Sequence, residues 1–295
     1  MKKRIVSILL CWTLLLSFSA PAWAINQSRT VIGADLNPMQ VDMVYASFGM
    51  RRGDAIELTL TNAEERRYLE GFVDDRMIGT RSISCVYVEL LPPGSGMSVF
   101  TNNVTWCTGD MYVNALATAG ITDARILVSA PFEVSGTAAL AGVYKAYEDM
   151  TGTSLDDTAK LVGTQELTVT GDLAQQIGSM DSTSIVGDLK LMLDQTQNMS
   201  DDEIREVIIG IADRYNVRLT ETQIKQLISL CRSLEGLNPD QLKQRVEDVQ
   251  GTLQKMSEAK SKIEGFAEQI KSFMESVSSF MEKVSELINR FSPQQ

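Results

Sequence analysis

From Leu242 to Phe291 the apolar residues fall at alternating intervals of four and three, and this stripe limits what the chain can fold into more than any other feature. Leu242, Val246, Val249, Leu253, Met256, Ile263, Ala267, Ile270, Met274, Val277, Met281, Val284, Ile288 and Phe291 belong to it, with Lys260 its one charged member. Such spacing keeps side chains on one helical face. Phe266, Phe273, Phe280 and Leu287 recur every seven residues beside it, so the face is wider than a two-stranded coiled-coil seam. A surface of this kind must be covered by the preceding helices, by self-association or by a partner. Basic and acidic side chains balance along the segment, which disfavours membrane contact. The spacing predicts a long amphipathic helix or helix pair over 239–291, in a bundle or coiled coil, with a disordered tail at 292–295. Lys260 sets register or reaches outward.

The preceding sequence changes period twice. Asp35-Leu36-Asn37-Pro38 forms a helix entrance with proline in the first turn, and Met39, Met43, Val44 and Phe48 follow at helical spacing. Ala55–Leu60, Ile83–Leu91, Met97–Val104 and Ala124–Ser129 read as strands. Pro92-Pro93-Gly94-Ser95-Gly96 makes Met97–Val104 the hairpin partner of Ile83–Leu91. Asn62 and Glu65 match a capping box for a helix carrying Tyr68 and Leu69. Asp110–Ala119 is a second helix, and a third begins at Ser135-Gly136-Thr137 and runs to Gly152. The order β-α-β-β-α-β predicts an α/β (α+β) two-layer domain over 30–152, compatible with a ferredoxin-like sandwich. Residues 153–238 read as a helical domain. Leu155–Leu161 and Leu173–Ile177 are short helices there, Ile185–Leu193 is a stronger one, and two more open at Ser200 and Thr220.

The first 24 residues have the layout of a cleavable signal peptide. Lys2, Lys3 and Arg4 precede an apolar stretch, and Ala22-Trp23-Ala24 offers small residues to a peptidase. The stretch is shorter than the roughly 20 apolar residues a membrane span needs, and no later run is long and apolar enough to span. Cys11 follows Leu10, not a small residue, which argues against a lipid anchor. Cleavage removes three basic side chains from a chain of formal charge −11, so broad attraction to nucleic acid is excluded. The expected location is secreted, extracellular or associated with the cell envelope.

The chain contains no histidine. That excludes a Ser-His-Asp triad, a Cys-His pair, a His-ligated zinc hydrolase and a histidine pH switch. Beyond the leader, Cys85, Cys107 and Cys231 remain, too few for a structural zinc site without histidine. Export permits a Cys85–Cys107 disulfide, and Cys231 lies on a helical apolar face as a buried thiol. No cofactor or metal is implied.

Two segments stand out as ligand sites. Ser135-Gly136-Thr137 follows a strand and opens a helix, where backbone N–H groups can cradle an anion; ordinary capping is the commoner reason for such a turn. In the Thr105–Asp110 segment, Trp106 could stack on a ligand while Thr108 or Asp110 contacts its polar edge, or the same residues seal a core. Arg51-Arg52 and Arg81 could bind an oxyanion or remain solvated. Asp74-Asp75 and Asp156-Asp157 are adjacent pairs that match no calcium loop. No catalytic residue can be chosen.

Val31-Ile32-Gly33-Ala34-Asp35-Leu36, Ile78–Glu89, Tyr112–Ile121 and Ala130–Leu140 together resemble the secreted bacterial domain-of-unknown-function 1002 family (DUF1002) over roughly residues 30–235. The resemblance implies an exported Gram-positive protein and carries no catalytic assignment. The resulting expectation is a noncatalytic extracellular or envelope binding or scaffold protein. Its partner would be an envelope protein or glycan, with self-association through the C-terminal helix. The alternative is a histidine-free hydrolase using acidic residues on envelope carbohydrate.

Overall fold

The Asn37 side chain accepts from the Gln40 N–H and the Asn37 N–H donates to Gln40 Oε1, so the chain enters its first helix, α1 (Pro38–Phe48), through a complete capping box with proline at the first turn. The computed structural model describes residues 27–251, apart from 74, and residues 253–254. The expected leader, residues 255–291 of the stripe, Lys260 and the 292–295 tail lie outside the described residues.

Five strands form one mixed sheet: β1 (Ser28–Gly33), β2 (Ile56–Leu60), β3 (Cys85–Leu90), β4 (Met97–Val104) and β5 (Ala124–Val134), in the order β2-β1-β3-β5-β4. β3 runs against the other four. β1 is absent from the sequence reading because all six of its residues are buried, which removes the alternation that marks a half-exposed strand. The expected β3–β4 hairpin is not formed: β5 lies between them, and β4 pairs with β5 in parallel. The adjacency of these two strands in a ferredoxin-like sheet is thereby replaced, while the mixed α/β class holds.

β5 continues past Pro131, where the sequence had ended it. The β3 ladder stops at Ser129, and the β4 ladder is interrupted between Asn102 and Val104 before Val104 pairs with Val134. Proline therefore sits where a ladder hydrogen bond is not required. Asn103 takes φ 56° at this bulge and donates from Nδ2 to the Ala130 carbonyl at 2.8 Å.

Further helices are α2 (Asn62–Leu69), α3 (Asp75–Ile78), α4 (Gly109–Ala119), α5 (Thr137–Thr151), α6 (Asp157–Ile177), α7 (Ser179–Leu191), α8 (Leu193–Thr196), α9 (Asp201–Arg214) and α10 (Glu221–Glu235). α1 covers one sheet face with Val41, Val44, Tyr45 and Phe48, meeting Ile32, Cys85, Tyr87 and Leu127. Met39 and Met43 point outward instead, so the buried stripe is rotated from the expected one. The opposite face carries α4 and α5; Gly142 of α5 lets helix and sheet approach over Val31 and Val86.

α6 lies on α4 as one 21-residue helix where two short ones were expected. Gly163 and Gly171 inside it mark close approach, not breaks. A Cβ at Gly163 would lie 2.6 Å from the Ala115 carbonyl oxygen, and one at Gly171 would lie 2.4 Å from Trp106 Cζ2. α7, α9 and α10 complete a helical core, which Leu242 and Val246 join from a helix that begins at residue 239. Val249 is buried as well, so the first three residues of the apolar stripe are covered within the chain.

Among the described residues Cys85, Cys107 and Cys231 are free and buried. The Cys85–Cys107 disulfide expected on export is not formed, for Cys85 belongs to the α1 layer while Cys107 sits on the α4–α5 side beneath Gly136. Burial pushes both thiols up to about 12.

Candidate ligand cleft

Four strands end at the same edge of the sheet, where β3 begins, and their loops gather the polar residues of one cleft. Its volume is about 380 Å³. Glu65, Arg76, Ile78, Arg81, Ile83 and Ser84 line one part; Thr105, Trp106, Glu133, Val134, Ser135, Thr137 and Ala138 line the rest. Loops beyond the carboxyl ends of strands are where open α/β sheets usually hold ligands.

Each wall is fixed by a local arrangement. Gly33, at the end of β1, presses so closely on the next loop that an added Cβ would fall 2.3 Å from the Ser82 carbonyl oxygen. Asp35 then accepts from the Ser82 N–H at 2.8 Å, and its own carbonyl accepts from Arg81 Nη2 at 2.8 Å. These contacts place Arg81 at the rim. Arg66 on α2 binds Asp75 and the Gly79 carbonyl, each at 2.9 Å, and so holds α3 with Arg76 and Ile78.

On the other side, Thr105 N–H donates to the Val134 carbonyl and Cys107 N–H to the Ser135 carbonyl. The two loops that carry Trp106 and Ser135 are therefore one structure. Gly136 has φ 98°, and a Cβ there would come 2.5 Å from Val104 Cγ1. Only glycine fits. Its carbonyl accepts from the buried Tyr112 hydroxyl at 2.5 Å. No side chain caps the N-terminus of α5. The Trp106 ring rests against Gly171, and its Nε1 is buried with no hydrogen-bond partner.

Glu65 is the titratable group that distinguishes this cleft. It is 1% exposed, and Thr137 Oγ1 and Asn62 Nδ2 donate to it at the long distances of 3.4 and 3.5 Å. Burial pushes its carboxyl up to about 7 against those bonds and against Arg66, with Asp35 adding to the rise. The helix cap lies one residue before the expected one. Thr61, not Asn62, caps α2, and Glu64 completes the box. Glu65 is thus turned inward, where the expected cap would have spent it on the helix end.

Of the residues singled out from sequence, Trp106, Ser135, Thr137 and Arg81 meet in the cleft, and Gly136 lies beneath it. Thr108 and Asp110 face elsewhere. Asp110 accepts from Thr108, Ser179 and Thr183, at 2.5, 2.6 and 2.8 Å, and so fastens α7 to α4. Arg52 pairs with Glu57, and Asp156 caps α6.

The family model described as protein of unknown function (DUF1002) matches residues 32–255, a span that includes every residue of the cleft. The chain belongs to this family. It is 35% identical over 246 residues to the uncharacterized protein YpuA of Bacillus subtilis (strain 168), covering 81% of this chain and 84% of that protein. No solved structure matches.

Asp110 belongs to a buried polar seam that had no sequence signature. Asp110, Asn114 and Thr118 follow one another at four-residue intervals along α4. At the far end Lys190 of α7 pairs with Glu166 of α6 at 2.8 Å, both side chains fully buried. Thr118 donates to Glu166 at 2.5 Å, and Lys190 also reaches the Asn114 carbonyl at 3.2 Å. Burial raises the Glu166 carboxyl, opposed by Lys190. The seam joins the helices that support Trp106 and α5 from behind. No helix among the described residues is long and apolar enough to cross a membrane.

Proposed function

We propose that the protein is an exported binding protein of the bacterial cell envelope, and that its cleft takes a polar segment of an envelope glycan. The observation that carries this reading is the convergence of Trp106, Ser135, Thr137, Arg76 and Arg81 in one cleft at the common end of four strands. An indole offers an apolar surface, while hydroxyls, guanidiniums and carboxyls supply directional bonds to hydroxyl-rich ligands. The leader-like first 24 residues support export.

The test uses the protein lacking residues 1–24 and purified Gram-positive peptidoglycan sacculi. Sedimentation should carry the wild-type protein down with the sacculi. Trp106→Ala and Arg81→Ala should each weaken retention by about tenfold, equivalent to roughly 1.4 kcal/mol. Equal retention of both variants would remove the cleft from the account.

A second reading, hydrolysis, is favoured by one observation: Glu65 and Glu133 line the same cleft, one buried and one exposed. A buried acid and a solvent-facing carboxylate in one cleft are the kind of pair glycoside hydrolysis uses. New reducing ends released from sacculi by the wild-type protein, and not by Glu133→Gln, would establish it. No release by the wild-type protein would dismiss it.

A further inference from the structure

We propose that the group this cleft recognises is an oxyanion, a carboxylate or a phosphodiester, and that it is taken up together with a proton carried by Glu65. The proposal rests on the envelope-binding reading for its choice of probes.

Three features of the cleft converge on an anion. Arg76 and Arg81 both line it, and planar guanidiniums match oxyanions through paired N–H donors. The 15-residue helix α5 opens into it through Gly136, which gives no side-chain cap, so the positive end of the helix faces the same space. Thr137, the first residue of that helix, contacts Glu65 through its hydroxyl.

Glu65 makes the site conditional. Ionised, it would stand beside a bound anion in a buried position; protonated, it removes that repulsion and becomes a donor. The charged groups around it come from every adjoining element. Arg66 lies on its own helix and is committed to Asp75 and the Gly79 carbonyl. Asp35 follows β1, Arg76 is on α3, Arg81 precedes β3 and Glu133 is on β5. The Tyr112 hydroxyl on α4 is raised by burial and stays neutral. With Glu65 ionised, the two arginines and two glutamates lining the cleft cancel; with it protonated, the lining is left net positive. The carboxyl at about 7 puts this change at neutral pH.

The test uses three probes: N-acetylmuramic acid for the carboxylate, glycerophosphoglycerol for the phosphodiester, and uncharged N-acetylglucosamine. Wild-type protein should bind at least one anion at pH 6 and bind N-acetylglucosamine at least tenfold more weakly. Above pH 7.5 the Kd for the anion should rise about tenfold per pH unit, because only the protonated fraction is competent. Glu65→Gln should bind with a flat pH profile, and Arg81→Ala should bind about tenfold more weakly than wild type at pH 6. Titration calorimetry of the wild-type protein in buffers of differing ionisation enthalpy should show uptake of about one proton at pH 8 and about none at pH 5.5. That measurement holds even if a variant does not fold.

Equal binding of the uncharged sugar, failure of both anions at pH 6, or absence of proton uptake at pH 8 would each overturn the proposal. Sacculus retention with neither anion bound would sink this inference and leave the envelope reading standing. Anion binding with proton uptake but no sacculus retention would do the reverse.

Discussion

Replacing Lys190 with methionine should destabilise the fold strongly, and in a pH-dependent way. Lys190 and Glu166 are both fully buried, with 2.8 Å between Nζ and Oε1. Without the ammonium, Glu166 keeps only the Thr118 hydroxyl as a close donor. A buried carboxylate stripped of its partner costs about 3–5 kcal/mol. Neutralisation limits the cost: holding a proton at pH 7 on a group with an ordinary pKa near 4.3 takes roughly 3–4 kcal/mol, at about 1.4 per pH unit. The sign follows from the raised Glu166 carboxyl. Its penalty is absent below the unfolded-state pKa and grows as pH rises through the folded one. Urea unfolding of Lys190→Met from pH 4.5 to 8 should therefore show a deficit of about 3 kcal/mol at pH 7, shrinking by most of that toward pH 4.5. The double variant Lys190→Met, Glu166→Gln should recover most of the loss. A deficit below about 1 kcal/mol, or one independent of pH, would refute burial of the pair.

Other expectations follow from single contacts. Gly136→Ala meets both a positive φ and Val104 at 2.5 Å, and should cost more than about 2 kcal/mol in thermal or urea unfolding. Glu65→Gln should raise stability at pH 8 by up to about 3 kcal/mol and have little effect below the ordinary carboxylate pKa, because the penalty of the raised carboxyl is absent there and builds up as pH rises to the folded-state value. Cys85, Cys107 and Cys231 are free and buried; the protein lacking residues 1–24 should resist a thiol reagent when native and titrate three thiols in urea. Thr61→Ala should cost about 1 kcal/mol in chemical unfolding and Asn62→Ala less, since Thr61 is the residue that caps α2.

The elements with strong local signals were legible. Asn37-Pro38, Ser200 with Glu203 and Thr220 with Gln223 mark helix starts that the structure keeps. What failed was set by distant partners. β1 is hidden because burial on both faces erases alternation, and β5 runs past Pro131 because neither neighbouring ladder needs an N–H at that position. Gly163 and Gly171 fall between the two short helices expected there, and inside the single long helix they let Ala115 and Trp106 approach. At the cleft, the Trp106 and Ser135–Thr137 loops were visible as motifs. Glu65 was not: a cap shifted by one residue decides whether it faces solvent or the interior. The Lys190–Glu166 pair is separated by 24 positions, and nothing local distinguishes it from two surface charges.

The most direct test of the central claim is amide and indole chemical-shift mapping on the protein lacking residues 1–24, titrated at pH 6 with soluble muropeptide. Binding in the cleft should move the Trp106 indole N–H and the amides of Ser135, Thr137 and Arg81 together, with one saturation curve. Shifts confined to other surfaces, or none while the same muropeptide is retained by the protein, would contradict it.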